Sequence, residues 1–178
     1  MNQDASIKTL DAMVDIVAYR EGVEILMKQG SSVIISNGIP EHAAILLETF
    51  FLNAKEQILI LCKNLSNAVY GKASVIEAAR VAIRRGVELR IITQENIEAT
   101  SFVDALKLEN APIRPDIVEC AQFPKPVGNI EFNFAVMDRK AFRFEHDHNR
   151  CVASASMNSP QVADKLADLF LTMRSAKA

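Results

Sequence analysis

The chain has 178 residues, of which 49% are hydrophobic and 24% are charged, and this length and composition suit one globular domain with a substantial core. Lysine and arginine number 20 and aspartate and glutamate 22, so the formal net charge is -2. This balance excludes a general attraction of the whole chain to nucleic acid or to an anionic membrane. No apolar run approaches the roughly 20 residues that span a bilayer, so no membrane span is predicted.

The start of the chain and its cysteines indicate a cytoplasmic protein. The first six residues lack the basic start and apolar core of a secretory signal. Cys62, Cys120 and Cys151 are odd in number and widely spaced among apolar or strand-like neighbours. That pattern is typical of reduced thiols rather than of disulfides.

The first third of the chain is predicted to be mainly helical. Apolar residues recur at helical spacing over residues 7–29, which indicates one amphipathic helix or a broken pair of helices that ends at Gly30. A short β-branched run at residues 33–35 then predicts an edge or entry strand. Pro40 opens a second helix that reaches about Ala54.

A β-α-β unit is predicted in the middle of the chain. Residues 57–62, with sequence QILILC, form a continuous apolar run typical of a strand that is covered on both faces. Ser74 and Glu77 have the spacing of a capping box, and Gly86 ends the helix that follows. Residues 87–92 predict the next strand, so the unit implies a right-handed crossover with parallel pairing.

The last part of the chain is predicted to be rich in short strands. A helix at residues 101–108 precedes a region that is punctuated by proline and glycine and contains a brief strand at residues 117–120. Three consecutive strands and a final helix follow; they are residues 130–137, 141–145 and 151–156, and the helix that begins at Ser159-Pro160.

These elements predict an α/β fold without an internal repeat or a low-complexity linker. Residues 1–30 are predicted to be an N-terminal helical segment. Residues 31–178 are predicted to be a single α/β domain.

Two segments in the last third carry a recognisable pattern of polar residues. They are EFNFAVMD at residues 131–138 and ASMN at residues 155–158. Their layout resembles the phospholipase D superfamily, in which H-x-K-x-x-x-x-D on a strand is followed by G-S-x-N. The aspartate, serine and asparagine of that pattern are present as Asp138, Ser156 and Asn158.

The residues that carry the chemistry in that superfamily are replaced in this chain. In active members the histidine attacks a phosphodiester phosphorus, the lysine neutralises phosphate oxygens and the aspartate orients a histidine. Here Glu131 stands at the histidine position and Asn133 at the lysine position, Ala155 replaces the glycine, and the segment that joins the two motifs is longer than usual. A carboxylate repels phosphate and a neutral amide does not neutralise it, so we expect the inherited catalysis to be lost.

The resemblance also implies an architecture and an assembly. The expected fold is a phospholipase D-like mixed β-sheet flanked by helices on both faces. Two motif copies meet to make one site in this superfamily, and this chain has one copy, so the resemblance implies a homodimer. The surviving polar residues either bind a ligand or satisfy buried partners at a dimer seam, and both interpretations stay open.

His146-Asp147-His148 is the only local cluster with catalytic or metal-ligand chemistry. On a strand the two histidines point the same way, but Asp147 points opposite and no third ligand is evident, so no metal site is predicted. A polar hairpin tip is the simpler interpretation. Because a glycine-rich phosphate loop, H-E-x-x-H and G-x-S-x-G are all absent, no cofactor is predicted either.

Arginines and a lysine make the same region locally basic; they are Arg139, Lys140, Arg143 and Arg150. They indicate either a phosphate-binding rim or charged strand edges that discourage sheet addition. The chain has no tryptophan and only two tyrosines, so it offers no aromatic ladder for single strands. A nucleic-acid partner is therefore indicated by the local basic residues alone.

These patterns predict a non-catalytic, dimeric binding or regulatory module that recognises a phosphate-bearing ligand, a nucleic acid or a protein partner. The predicted ligand-binding residues are Glu131, Asn133, Asp138, Arg139, Arg143, Ser156 and Asn158. The alternative is a phosphodiesterase or nuclease with an altered active site that uses His146 or His148. A third hypothesis is a structural subunit whose first helix docks into a larger assembly.

Overall fold

The computed structural model describes residues 3–94, 101–107, 118–122, 131–147 and 152–175, without the side chains of residues 3–14, 101, 107 and 147. Its helices are α1 (Gln3–Gln29), α2 (Pro40–Asn53), α3 (Ala73–Arg84), α4 (Ser101–Lys107) and α5 (Pro160–Ser175). Its strands are β1 (Ile35–Asn37), β2 (Gln57–Cys62), β3 (Glu88–Thr93), β4 (Val118–Gln122), β5 (Asn133–Met137), β6 (Ala141–Asp147) and β7 (Val152–Ser156).

The seven strands form one mixed sheet in the order β1-β7-β6-β5-β2-β3-β4. β2, β3 and β4 run parallel to one another, and every other neighbouring pair is antiparallel. The parallel pairing of β2 with β3 confirms the pairing predicted for the β-α-β unit. The predicted edge position of the first strand is also confirmed.

Strand β2 separates two hydrophobic cores, as its continuous apolar run predicts. Ile58 and Ile60 pack on one face against α1, α2, α3 and α4. Leu59 and Leu61 pack on the other face against α5. Side chains alternate between the faces of a strand, so a strand between two helical layers must be apolar at successive positions. Helices therefore cover both faces of the sheet, as predicted.

Helix α1 is one continuous helix rather than a broken pair, and it packs against α2. Val23 is buried in the same core as α2. Arg20 donates two hydrogen bonds to the carboxylate of Glu48, at 2.6 and 2.9 Å. The division of the chain at residue 30 stays a prediction.

Two local predictions were wrong. Ser74 does not cap α3, because the helix already begins at Ala73 and its N-cap, Lys72, makes no side-chain cap hydrogen bond. Val33 and Ile34 lie outside β1 and are more than half exposed. An edge strand bonds to one neighbour only, and this one pairs with β7 from Ile35 onward.

The hairpin between β5 and β6 turns tightly at Asp138 and Arg139. Both residues have positive φ, at 49° and 53°, and the Lys140 N–H donates to the Met137 carbonyl at 2.9 Å. Positive φ at both central residues is typical of the type I′ turn, whose twist matches that of the strands it joins. The hairpin therefore sets which residues of β5 and β6 face each other.

Candidate functional site

A cleft of about 330 Å³ opens where the end of β2 meets the start of β5 and the second half of β6. Its walls include Pro40, at the start of α2, and Lys63, directly after β2. Its floor includes three polar side chains of the sheet, those of Asn133, Arg143 and Glu145. Ligands of α/β proteins commonly bind at the carboxyl ends of strands, and the end of β2 is such a place.

Strand geometry brings the three polar side chains of the floor to one face. Arg143 and Glu145 are two residues apart on β6, so both side chains point to the α2 side of the sheet. Asn133 pairs directly with Glu145 in the antiparallel ladder. The register of the β5-β6 hairpin therefore builds this floor.

A hydrogen-bond network holds the floor in place. Asn133 accepts a hydrogen bond from the Lys63 N–H through Oδ1 at 2.8 Å and donates through Nδ2 to Glu145 Oε2 at 2.9 Å. Arg143 donates to the same Oε2 through Nη1 at 3.2 Å. Arg143 and Glu145 are 7% and 6% exposed. Charges that are buried this deeply must be paired, so the network is part of the fold as well as of the cleft.

Two further side chains of the cleft stay uncharged at neutral pH. Burial raises the pKa of the Cys62 thiol far above its ordinary value, and Glu145 and Cys120 raise it further. Burial also raises the pKa of Tyr70 well above its ordinary value. Since the thiolate is the reactive form of cysteine, Cys62 is a poor nucleophile here. The charged groups of the cleft are then two cations, Lys63 and Arg143, and one carboxylate, Glu145.

Asp138 lies at the opposite end of β5 from Asn133, roughly 16 Å away along a strand. Its carboxylate accepts three backbone hydrogen bonds, from the N–H groups of Lys55, Glu56 and Gln57, at 2.8, 2.9 and 2.9 Å. Its own N–H donates to the Gln57 carbonyl at 3.0 Å. In this chain Asp138 therefore anchors the turn between α2 and β2, and it does not line the cleft.

Ser156 and Asn158 also lie at the end of the sheet away from the cleft. Ser156 pairs with Phe142, near the start of β6, and is fully buried. Asn158 donates through Nδ2 to the Gly30 carbonyl at 2.9 Å, so it holds the end of α1. The structure does not bring these two residues to Asn133, because β7 runs antiparallel to β6 and ends where β6 begins.

The two predicted arginines do not form one basic rim. Arg139 pairs with Asp164 at 3.0 Å and with Asp168 at 2.8 Å, so it fastens the hairpin to α5. Arg143 is buried on the opposite face of the sheet, in the floor of the cleft. Hydrogen bonds from Arg139 to Asp168 and Asp164 raise the pKa of its guanidinium. Its charge is therefore paired within the chain, with two aspartates of α5.

Glu131 precedes β5 and is exposed, and it is not among the residues that line the cleft. His146 lies at an irregularity in the pairing of β6 with β7. Its ring meets Phe144 edge-on at 4.9 Å, and Phe144 packs in the core on the α5 side. His146 is therefore turned away from the cleft. His148 and Arg150 lie outside the described residues.

Sequence reasoning missed Lys63, Tyr70 and Glu145 as residues of the cleft. Two signals could have found Lys63 and Glu145, but the sequence holds none for Tyr70. Lys63 directly follows a buried strand, at its carboxyl end, and Glu145 shares a strand face with Arg143 two residues earlier. No cluster of three histidine, cysteine or acidic side chains in the described part of the chain is placed to hold a metal ion.

Comparison with known proteins gives matches only at the level of three-dimensional structure. No protein-family model and no curated protein matches the chain. Nuc from Salmonella typhimurium, a phospholipase D family member, is 14% identical with a TM-score of 0.56, over 80% of this chain and 94% of that one. NucT from Helicobacter pylori is 14% identical with a TM-score of 0.54, over 80% of this chain and 97% of that one.

A third similar structure is TrmBL2, an archaeal chromatin protein whose structure shows a mode of DNA binding. It is 13% identical with a TM-score of 0.57, and the match covers 98% of this chain and 65% of that one. Identities this low establish the fold and no more. Among the described residues, no helix has the length and apolar character needed to cross a membrane. By this structural similarity the chain has an α/β fold of the phospholipase D type, and its described residues form a mixed seven-stranded sheet.

Proposed function

We propose that this chain is a non-catalytic, dimeric binding module whose cleft recognises a small phosphate-bearing ligand. The observation that carries the proposal is the buried Arg143 in the cleft floor, with Lys63 beside it. Arginine suits the recognition of phosphate, because its planar guanidinium presents several donors in a fixed geometry. A guanidinium that is already held by Glu145 loses little further freedom when a ligand binds.

The start of α2 adds to the attraction for an anion. Pro40 is the first residue of α2 and borders the cleft, and the N-cap residue, Ile39, makes no side-chain cap hydrogen bond. The first N–H groups of a helix lack partners within the helix and carry partial positive charge. The cleft also holds two cations and one carboxylate. Its charges and the partial positive charge at the start of α2 together favour an anionic ligand.

The same cleft offers little for turnover. Cys62 stays protonated, and His146 contacts the core on the other side of the sheet. Glu131 and Asn133 stand where the superfamily has its nucleophile and its cation. A site with cations but without an activated nucleophile supports binding rather than cleavage.

The dimer remains part of the proposal and rests on the single motif copy in this chain. A cytoplasmic location also remains proposed, from the dispersed cysteines. A volume of about 330 Å³ suits a small ligand or one phosphate group of a longer one. A nucleic acid or a protein partner would need additional surface outside the cleft.

Isothermal titration with inorganic phosphate and with pyrophosphate at constant ionic strength tests the proposal. Lys63→Gln should weaken binding about tenfold, the effect of losing one charge-assisted hydrogen bond. Lys140→Gln is the matched control, because it removes the same charge from an exposed residue at the other end of the sheet. Absence of binding to the unmodified protein, or equal weakening by both variants, would overturn the proposal.

A further inference from the structure

Three buried polar atoms, one each on α1, α2 and β6, have no hydrogen-bond partner among the described residues. They are Tyr19 Oη, His42 Nε2 and Arg143 Nε. The ring of Tyr19 stacks on that of His42, with centroids 3.7 Å apart and planes 10° apart. We call these three residues the inner niche.

Arg143 connects the inner niche to the cleft. Its side chain lines the cleft and pairs with Glu145 through Nη1. Its charge also acts on Tyr19: burial raises the pKa of the Tyr19 hydroxyl, and the charge of Arg143 lowers it. Arg143 is 7% exposed; its Nη1 is bonded to Glu145 in the cleft floor, and its Nε is the buried atom without a partner.

The chemistry of the inner niche suits an oxyanion. Arg143 Nε–H is a donor only, and a tyrosine hydroxyl and an imidazole N–H can both donate. A buried polar group without a partner costs free energy, so a group that accepts from all three removes that cost. Phosphate oxygens accept several hydrogen bonds at once, and the nearby guanidinium supplies the charge.

We propose that the inner niche binds the anionic group of the ligand, with Tyr19 of α1 and His42 of α2 as direct contacts. This inference rests on the proposed function, since it places the phosphate of the same ligand. It makes α1 part of the binding site rather than a separate segment. The ligand then joins α1 to the sheet through Arg143.

Phosphate titrations of two variants, each of which lacks one hydroxyl group, test the inference. Tyr19→Phe removes the hydroxyl and keeps the ring on His42, and it should weaken phosphate binding about tenfold. Thr172→Val is the matched control: it removes a hydroxyl from α5, on the far side of the sheet, and should leave the affinity unchanged. Because the chain has only two tyrosines, NMR of their ring protons gives a second readout. Phosphate should shift the resonances that Tyr19→Phe removes.

Each outcome bears on the inference in a definite way. If phosphate binds and Lys63→Gln weakens it, but Tyr19→Phe behaves like Thr172→Val and the Tyr19 resonances do not move, the inner niche does not bind the phosphate. The inference is then overturned and the proposed function stands. If the unmodified protein binds neither phosphate nor pyrophosphate, both fail together.

Discussion

Arg143 and Glu145 form an ion pair inside the domain, with 3.2 Å between Nη1 and Oε2 and less than a tenth of either side chain exposed. Removing one member of a buried pair leaves the other charge without compensation. We expect Glu145→Leu or Arg143→Met alone to lower the free energy of unfolding by about 3–5 kcal/mol.

The double variant Arg143→Met/Glu145→Leu should lose much less than the sum of the two single losses, because no charge is then left unpaired. Urea denaturation of the four proteins completes the double-mutant cycle. Additive losses would show that the two side chains do not depend on each other. Phosphate binding should be lost in the double variant even where its stability recovers.

Asp138 is expected to be a stability residue. Its carboxylate holds three successive backbone N–H groups, and its φ is positive. Asp138→Ala should lower the free energy of unfolding by about 2–4 kcal/mol, from lost charged hydrogen bonds and a left-handed backbone that alanine disfavours. Asp138→Asn should cost less, since asparagine tolerates that backbone and keeps one acceptor.

Asp164→Ala is the control for Asp138, because Asp164 is a half-exposed partner of a surface ion pair. It should change the free energy of unfolding by no more than about 1 kcal/mol. Equal effects of the two substitutions in thermal or urea unfolding would contradict the anchoring role of Asp138.

Acid should weaken the attachment of α1 through Glu48. Burial acts to raise the pKa of Glu48, but hydrogen bonds from Arg20 and Ser74 and the charge of Arg20 outweigh it, so the pKa lies below its ordinary value of 4.5. A lowered pKa in the folded state stabilises the protein above the ordinary pKa, and this contribution is lost as pH falls through the lower value. The free energy of unfolding should therefore fall below about pH 4.5.

The pH dependence of two variants checks the contribution of Glu48. Glu48→Gln removes the titrating group and Arg20→Met removes its main partner, so both should flatten the decline between neutral pH and pH 3. Urea denaturation midpoints at a series of pH values measure this decline in stability. A decline as steep as in the unmodified protein would show that this pair does not contribute.

Both tyrosines should resist ionisation in the folded protein. Burial raises the pKa of Tyr19 to about 12, against a smaller opposing effect of Arg143, and it raises that of Tyr70 well above 10. A pKa that is raised in the folded state stabilises the fold below the unfolded value, near 10, and this contribution is lost at higher pH. Absorbance near 295 nm should therefore show no phenolate at about pH 10.5 until the protein unfolds.

The alternative that His146 or His148 cleaves phosphodiesters predicts a measurable turnover. We expect none with bis(p-nitrophenyl) phosphate or single-stranded DNA, because His146 is turned away from the cleft. His146→Ala/His148→Ala should leave any background rate unchanged. Turnover by the unmodified protein that disappears in this double variant would contradict the non-catalytic proposal.

Local patterns predicted most of the helices and strands of this chain. The apolar run of β2 indicated burial on two faces, and Gly86, with φ of 87°, ends the segment of α3 as predicted. The predicted capping box failed because α3 begins before Ser74, whose hydroxyl bonds instead to Glu48 of another helix. A contact between distant segments has no local signature.

The motif-like residues show the same limit at the level of the site. Asp138, Ser156 and Asn158 match a spacing pattern, but each makes a contact that supports the fold away from the cleft. Glu145 matches no motif, yet the register of β5 with β6 places it beside Asn133. Spacing along the chain therefore could not identify which polar side chains lie together in the cleft floor.

Residue order alone was enough for the α/β class and the buried central strand, because both follow from the periodicity of apolar side chains. Only the tertiary structure decided that Lys63, Arg143 and Glu145 share a cleft. Strand order, register and the pairing of buried charges join segments that are far apart in the chain. Their energies arise only when those segments pack together.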